Sequence, residues 1–251
     1  MILYEFPFNE RVRTYLRLEH LFFRLGDLMG RRSATDHHFA ITTLFEILEV
    51  GARSDLKTDV LKDLDKQKTL VAGYRGNPAI SEKALEQVVA QLDSCLNALR
   101  DQSGKIGQSL GDIDWLMSLR SRASIPGGTC EFDLPAYHAW KHKSPEDRRA
   151  DLKRWIDGLL PLAEAVGLLL KLLRDSGVPQ KVLCTAGHYQ QNLPQGRSFQ
   201  LMRLRVDPEL QVFPEVSGNR LVVSVRMMTM MDGQRMQSST EDAPLEITLC
   251  G

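Results

Sequence analysis

The sequence predicts an α+β protein, with a mainly helical domain over residues 9–176 and a smaller antiparallel β domain formed largely by the C-terminal part, residues 177–251. Two observations carry this division. Up to Asp175 apolar residues recur every three or four positions, the spacing of one buried helix face, whereas from Lys181 onward they alternate, the spacing of a half-buried strand. The change of period places helices first and a sheet last.

Ile2 to Phe8 are apolar and aromatic and end near Pro7, which suits an edge strand that joins the β domain at residues 2–7. Asn9 then caps a first helix from Glu10 to Met29, whose inward positions are Tyr15, Leu18, Phe22, Leu25 and Met29. A second helix runs from about Asp36 to Val50 and closes at Gly51. Ser54 caps a third, with Leu56, Val60, Leu61, Leu64, Leu70 and Val71 as its stripe, ended by Gly76–Asn77–Pro78. Further helices are expected from Ser81 to Arg100 and from Ile113 to Arg122. Ser124–Ile125–Pro126–Gly127–Gly128 reads as a turn, and a short strand is expected near residues 129–134 before Pro135. Helix resumes from Ala136, and Ser144–Pro145–Glu146–Asp147 opens another that continues, with a break at Pro161, to Asp175. Phe199 to Val206, Leu221 to Met230 and Leu245 to Cys250 read as strands separated by Asp–Pro, Ser–Gly–Asn and Asp–Gly turns.

With 251 residues and 43% apolar content, the chain buries a real core. Its 32 basic and 32 acidic residues cancel, so nothing in the total charge asks for nucleic acid. The four cysteines, Cys95, Cys130, Cys184 and Cys250, form no C-x-x-C pair, which suits a reducing cytoplasm better than a disulfide scaffold or a zinc ribbon. Charged residues from Glu5 onward interrupt any signal-peptide core. The longest apolar stretch, Gly158 to Leu173, contains Pro161, Glu164 and Lys171, so no membrane partner is expected.

No phosphate-binding loop, dinucleotide fingerprint, zinc-protease motif or nucleophile elbow is present, so neither a cofactor nor a catalytic residue is expected. Gly127–Gly128 is a backbone turn needing positive φ rather than a phosphate cradle. His138 and His142 stand four apart, a spacing that zinc uses with a third ligand, but no Cys or Glu completes a set. His138 is better placed in a packed or binding surface, and the adjacent His37 and His38 point apart. The methionines Met227, Met228, Met230, Met231 and Met236 read as core filling near one hairpin, with an adaptable contact surface as the alternative.

One pattern rises above background. A step of about 100° per residue brings Arg13, Arg17, His20 and Arg24 onto one stripe of the first helix, flanked by Leu16 and Phe23 on one side and Leu21 and Leu28 on the other. Arginine suits bidentate capture of carboxylates beside apolar contacts. In the strand from Arg220 to Met230, alternation puts Leu221, Val223, Val225 and Met227 on one face and Arg220, Ser224 and Arg226 on the other. The two basic rows would share a groove if that sheet lay against the first helix, and Arg120 and Arg122 are further candidates.

The chain resembles the bacterial cell division protein ZapD family. The resemblance is carried by Pro7, Asn9–Glu10, Arg13–Thr14, Leu16–Arg17 and Glu19, then by Leu61–Lys62 and Leu64–Asp65. It continues through Ser124–Ile125–Pro126–Gly127–Gly128, Phe132–Asp133–Leu134–Pro135, His138, Trp140, Trp155 and Pro161–Leu162. Tyr189–Gln190, Arg203–Leu204, Pro214, Ser217–Gly218 and Arg226 extend it through the β region. It is weakest from Met29 to Phe39 and around Thr229 to Ala243. The resemblance implies a homodimer, cytoplasmic and at the division site, whose basic surface takes up the C-terminal tail of the tubulin-like protein FtsZ and bundles its protofilaments. Arg13, Arg17, His138 and Arg226 carry over as tail-binding, with Arg120, Arg122 and Arg220 beside them. Asp112 and Asp114 depart from a more basic helix in the family. Two alternatives stand: a structural dimer whose stripe is only a solvated face, and a metal-dependent enzyme built round His138 and His142.

Overall fold

A computed structural model of the chain describes residues 1–52, 55–102, 104, 106–194, 196–219, 221–232 and 235–251, the side chain of Ser109 excepted. The Ser54 cap, Arg220 and Gly233 of the Asp–Gly turn lie outside the described residues. The helices are α1 (Glu10–Gly30), α2 (Ala34–Gly51), α3 (Leu56–Ala72), α4 (Glu82–Asp101), α5 (Asp114–Arg122), α6 (Pro135–Lys141), α7 (Pro145–Ile156) and α8 (Leu160–Asp175). The strands are β1 (Ile2–Pro7), β2 (Pro179–Cys184), β3 (His188–Asn192), β4 (Leu201–Val206), β5 (Val212–Gly218), β6 (Val222–Met231), β7 (Arg235–Ser238) and β8 (Ala243–Cys250). The fold is α+β. Packing divides it into one unit of residues 1–15 and 170–251 and a second of residues 16–169.

Several boundaries follow from local chemistry. Asn9 Oδ1 accepts the Val12 amide at 2.9 Å, Ser33 caps α2, and Ser81 and Ser144 accept from Ala84 and Asp147 at the starts of α4 and α7. The helix break expected at Pro161 falls instead on the 3₁₀ turn Asp157–Leu159. Pro161 then sits in the first turn of α8, where its missing N–H is no loss. Residues 129–134, expected as a strand, are turns. Cys130 O accepts from the amides of Asp133 and Leu134 at 3.2 and 3.0 Å, so the segment satisfies itself locally and no strand lies beside it.

In the first unit, two four-stranded antiparallel sheets are ordered β1-β4-β8-β2 and β3-β6-β5, with β7 pairing β6. Sequence alternation suggested one sheet; two form because their inner faces share a core. Met202, Leu204 and Val206 of β4 and Leu245 and Ile247 of β8 meet Val223, Val225 and Met227 of β6 in one buried cluster. β1 is an edge strand, and Pro7 stands opposite Leu201 at its end, where a missing donor is tolerated.

Glu5 ties β1 in place. Its Oε1 accepts from Arg174 Nε at 2.9 Å and from Arg203 Nε at 3.1 Å, and its Oε2 from Arg174 Nη2 at 2.7 Å. All three side chains are largely buried, so removing the carboxylate leaves two guanidinium groups short of an acceptor. Glu5→Ala is expected to cost about 2 kcal/mol in a urea titration, and a loss within error would show the triad to be dispensable.

In the second unit all three tryptophans meet: the Trp115 ring lies 5.9 Å from Trp140 and 5.4 Å from Trp155, with Tyr137 stacked on Trp140 at 6.1 Å. His37 is fully buried beside this region, its Nε2 donating to Arg31 O at 2.9 Å and its Nδ1 accepting from Arg148 Nε at 2.9 Å. Burial, and then the Arg148 charge, lower its pKa; burial and Lys141 lower that of His38, whose Nδ1 meets Tyr137 Oη at 2.6 Å. Both imidazoles titrate near 6.5 when unfolded, so their contribution is complete above that pH and is lost as pH falls toward the lowered folded values. The urea midpoint should therefore drop between pH 7.5 and 5.5, a window above carboxylate titration, and an unchanged midpoint would refute it.

Candidate functional site

The first helix supplies the stripe that the spacing predicts, but its four members differ in availability. Arg13 Nε is held by Glu10 Oε1 at 3.0 Å, one turn back. Arg24 Nε donates to Thr43 Oγ1 at 3.0 Å and its Nη2 pairs with Glu46, so this side chain staples α1 to α2. Arg17 and His20 are exposed and have no side-chain partner among the described residues. The apolar flank sorts in the same way: Leu21 is core, while Phe23 is 80% exposed, one turn beyond His20. The open part of the stripe is thus Arg17, His20 and Phe23, a cationic surface with an aromatic edge.

Arg120 and Arg122 occupy the last turn of α5, where cations also favour the helix dipole. Arg120 is exposed; Arg122 Nη1 donates to Asp133 Oδ1 at 2.9 Å. That bond closes the loop between them. Within it, Gly128 N donates to Ile125 O at 2.9 Å and Gly127 has φ +70°, with Pro126 before it, the residue order of a type II turn. A Cβ on Gly128 would come within 2.8 Å of Arg122 O, which explains the second glycine. Asp114 opens α5 in its acidic first turn, and both Asp112 and Asp114 are exposed.

The loop delivers α6. Tyr137 and Trp140 are buried in the aromatic cluster, and Trp140 Nε1 donates to Asp151 Oδ2 at 2.9 Å. Burial alone would raise the Asp151 pKa, but hydrogen bonds from Lys143 and Trp140 hold it below the ordinary value. His138, half-buried, lies between these anchors, and its Nδ1 has no hydrogen-bond partner among the described residues. The His142 ring stands 4.5 Å away, and its Nδ1 is within 2.9 Å of His138 O. Among the described residues no three metal-ligating side chains converge here or elsewhere.

On β6, Val223, Val225 and Met227 face the core, and Arg226 is exposed on the other face of the sheet. Register places it between His188 of β3 and Glu215 of β5, neighbours that sequence spacing did not reveal because they come from other strands. Leu221, expected in the core with Val223, is 62% exposed, since β6 begins only at Val222 and the Leu221 amide closes a turn on Asn219 Oδ1 at 2.8 Å. The methionines divide by position. Met227 and Met228 are buried, whereas Met230, Met231 and Met236 are exposed along the β6–β7 hairpin.

The candidate residues therefore fall into two groups by unit. Arg13 and Arg226 belong to residues 1–15 and 170–251, and Arg17, His20, Arg24, Arg120, Arg122 and His138 to residues 16–169. Among the described residues no helix is long and apolar enough to cross a membrane. A family model described as ZapD, a cell division protein, matches residues 16–226, a span that takes in α1 from Leu16, the Pro–Gly–Gly turn, His138 and Arg226. The match covers most of the 251 residues, and the chain belongs to the ZapD family of cell division proteins.

Proposed function

We propose that the protein acts by binding rather than catalysis, taking up the C-terminal tail of FtsZ on its exposed cationic residues. As a homodimer it presents this surface twice and bundles FtsZ protofilaments at the division site in the cytoplasm. The observation that supports this most is the pair Arg17 and His20, exposed beside Phe23 and without side-chain partners, in a chain of the cell division family. Arg120 and Arg226 add exposed cations, and His138 a half-buried imidazole with a spare nitrogen. Arg13, Arg24 and Arg122 contribute less, because Glu10, Glu46 and Asp133 already engage them.

Each tail site is weak alone, and two per dimer gain by effective concentration along a filament. Co-sedimentation with polymerised FtsZ tests the reading. The protein should pellet at low salt, be released as salt screens its cations, and stay in the supernatant with FtsZ lacking its C-terminal tail. Equal pelleting with and without the tail would overturn the tail as ligand.

A further inference from the structure

Trp115 of α5, Trp140 of α6 and Trp155 of α7 all line one cleft of about 640 Å3 in the helical unit, and Lys143, Asp151 and Arg154 stand beside them. The sequence of α6 opens this cleft. Ala136, Ala139, Trp140 and Lys143 follow one another at three- and four-residue spacing and so share one side of the helix, where the two exposed alanines leave room beside the indole. His138 lies off that side, so the cleft is separate from the surface to which its imidazole belongs.

Charge decides what the cleft can hold. The Asp151 side chain, 11% exposed, accepts from Trp140 Nε1 at 2.9 Å and fixes Lys143 Nζ at 3.0 Å and Arg154 Nη2 at 2.5 Å. These bonds use a single donor of each cation, and among the described residues the other side-chain donors have no partner. Two cations outweigh one carboxylate, so the rim is positive; Asp112 and Asp114 flank Ile113 in the chain but do not line the cleft. A cage for a cationic guest needs rings that stand apart around it. Here the ring centroids are 5.4 to 5.9 Å apart and the indoles pack on one another, which makes them a floor rather than a cage. Lys143 and Arg154 are 48% and 71% exposed, so the rim stays open, whereas a free small molecule is held by burying most of its surface. An open aromatic floor under a positive rim suits a side chain presented by a peptide.

We propose that this cleft binds an acidic peptide segment of a partner protein, with a large apolar or aromatic side chain resting on the tryptophans and its neighbouring carboxylates held by Lys143 and Arg154. The chain reports on the event itself, because all three of its tryptophans line the cleft. Titration of the full chain with the peptide acetyl-Asp-Phe-Asp-amide should change tryptophan emission saturably. Acetyl-Asp-Ala-Asp-amide, which lacks the anchor, and acetyl-Asn-Phe-Asn-amide, which lacks the charge, should each bind roughly tenfold more weakly, and acetyl-Lys-Phe-Lys-amide more weakly still. Lys143→Gln/Arg154→Gln removes both charges while keeping a donor on each side chain for Asp151. Ala139→Glu, at an exposed position, puts a carboxylate into the cleft. Both variants should keep their helicity by circular dichroism and bind acetyl-Asp-Phe-Asp-amide roughly tenfold more weakly or worse. No saturable change with the wild-type chain, equal affinity for the three phenylalanine peptides, or wild-type affinity in both variants would overturn the proposal.

Discussion

Reversing charge at Arg17 and Arg226 together is expected to abolish co-sedimentation with FtsZ. Both side chains are exposed and unpaired among the described residues, so neither substitution removes a contact the fold uses. Circular dichroism and the unfolding midpoint should stay near wild type, as for surface substitutions generally. Each lost charge-assisted contact is worth about 1.5–3 kcal/mol, and a carboxylate placed there repels any carboxylate the arginine would have held, so the double variant should bind roughly 100-fold more weakly or worse. Arg24→Glu separates binding from structure: it breaks the bonds to Thr43 and Glu46, so it should lower stability before it lowers affinity. Full pelleting of Arg17→Glu/Arg226→Glu would remove these residues from the site.

The largest stability effect is expected at Arg148, which is 4% exposed. Its Nε donates to His37 Nδ1 at 2.9 Å, its Nη1 to Lys141 O at 2.9 Å and also to Lys143 O, and its Nη2 to Arg32 O at 2.8 Å. None of these acceptors is a carboxylate. The guanidinium gathers the loop that follows α1, the start of α2 and the α6–α7 connection by donating to an acceptor on each. Arg148→Met deletes every donor at once and leaves the buried His37 Nδ1 without its partner, at a cost of about 3–5 kcal/mol. Arg149→Met, next in sequence, breaks a partly exposed pair with Glu146 and should cost under about 1 kcal/mol. Urea titrations followed by tryptophan fluorescence report both. Equal midpoints for the two variants would contradict the assignment of Arg148 as the organising side chain.

Legibility in the sequence differed by kind of feature. The helices and the main strands were readable because periodicity and caps are local: Asn9, Ser81 and Ser144 cap the helices that follow them. Residues 129–134 misled because a β-prone composition needs a neighbouring strand, and here hydrogen bonds within the turn, with Arg122 on Asp133, satisfied the chain first. The division into two sheets was hidden for the same reason, since alternation tells which side chains turn inward but not which strand pairs with which. At the candidate site, the stripe of Arg13, Arg17, His20 and Arg24 was legible from helix geometry alone. Its partition was not, because Arg24 is engaged from α2 and Arg226 acquires His188 and Glu215 as neighbours only through register.

By itself the sequence determined the α+β class, the order of helices before strands, the resemblance to the ZapD family and the residue types able to hold an acidic ligand. These depend on spacing and composition, which act over a few residues. The tertiary structure alone decided which cations are spent on the fold and which stand open. Arg148 sits three residues into a charged helix start and looks like surface, yet it is buried on His37, 111 positions away. Arg17 looks like one of four equal arginines or histidines on a stripe, yet it and His20 stand unpaired while Arg24 is taken by Glu46. A charge is available for binding only when no distant part of the chain has already neutralised or desolvated it, and that is settled by packing rather than by local sequence.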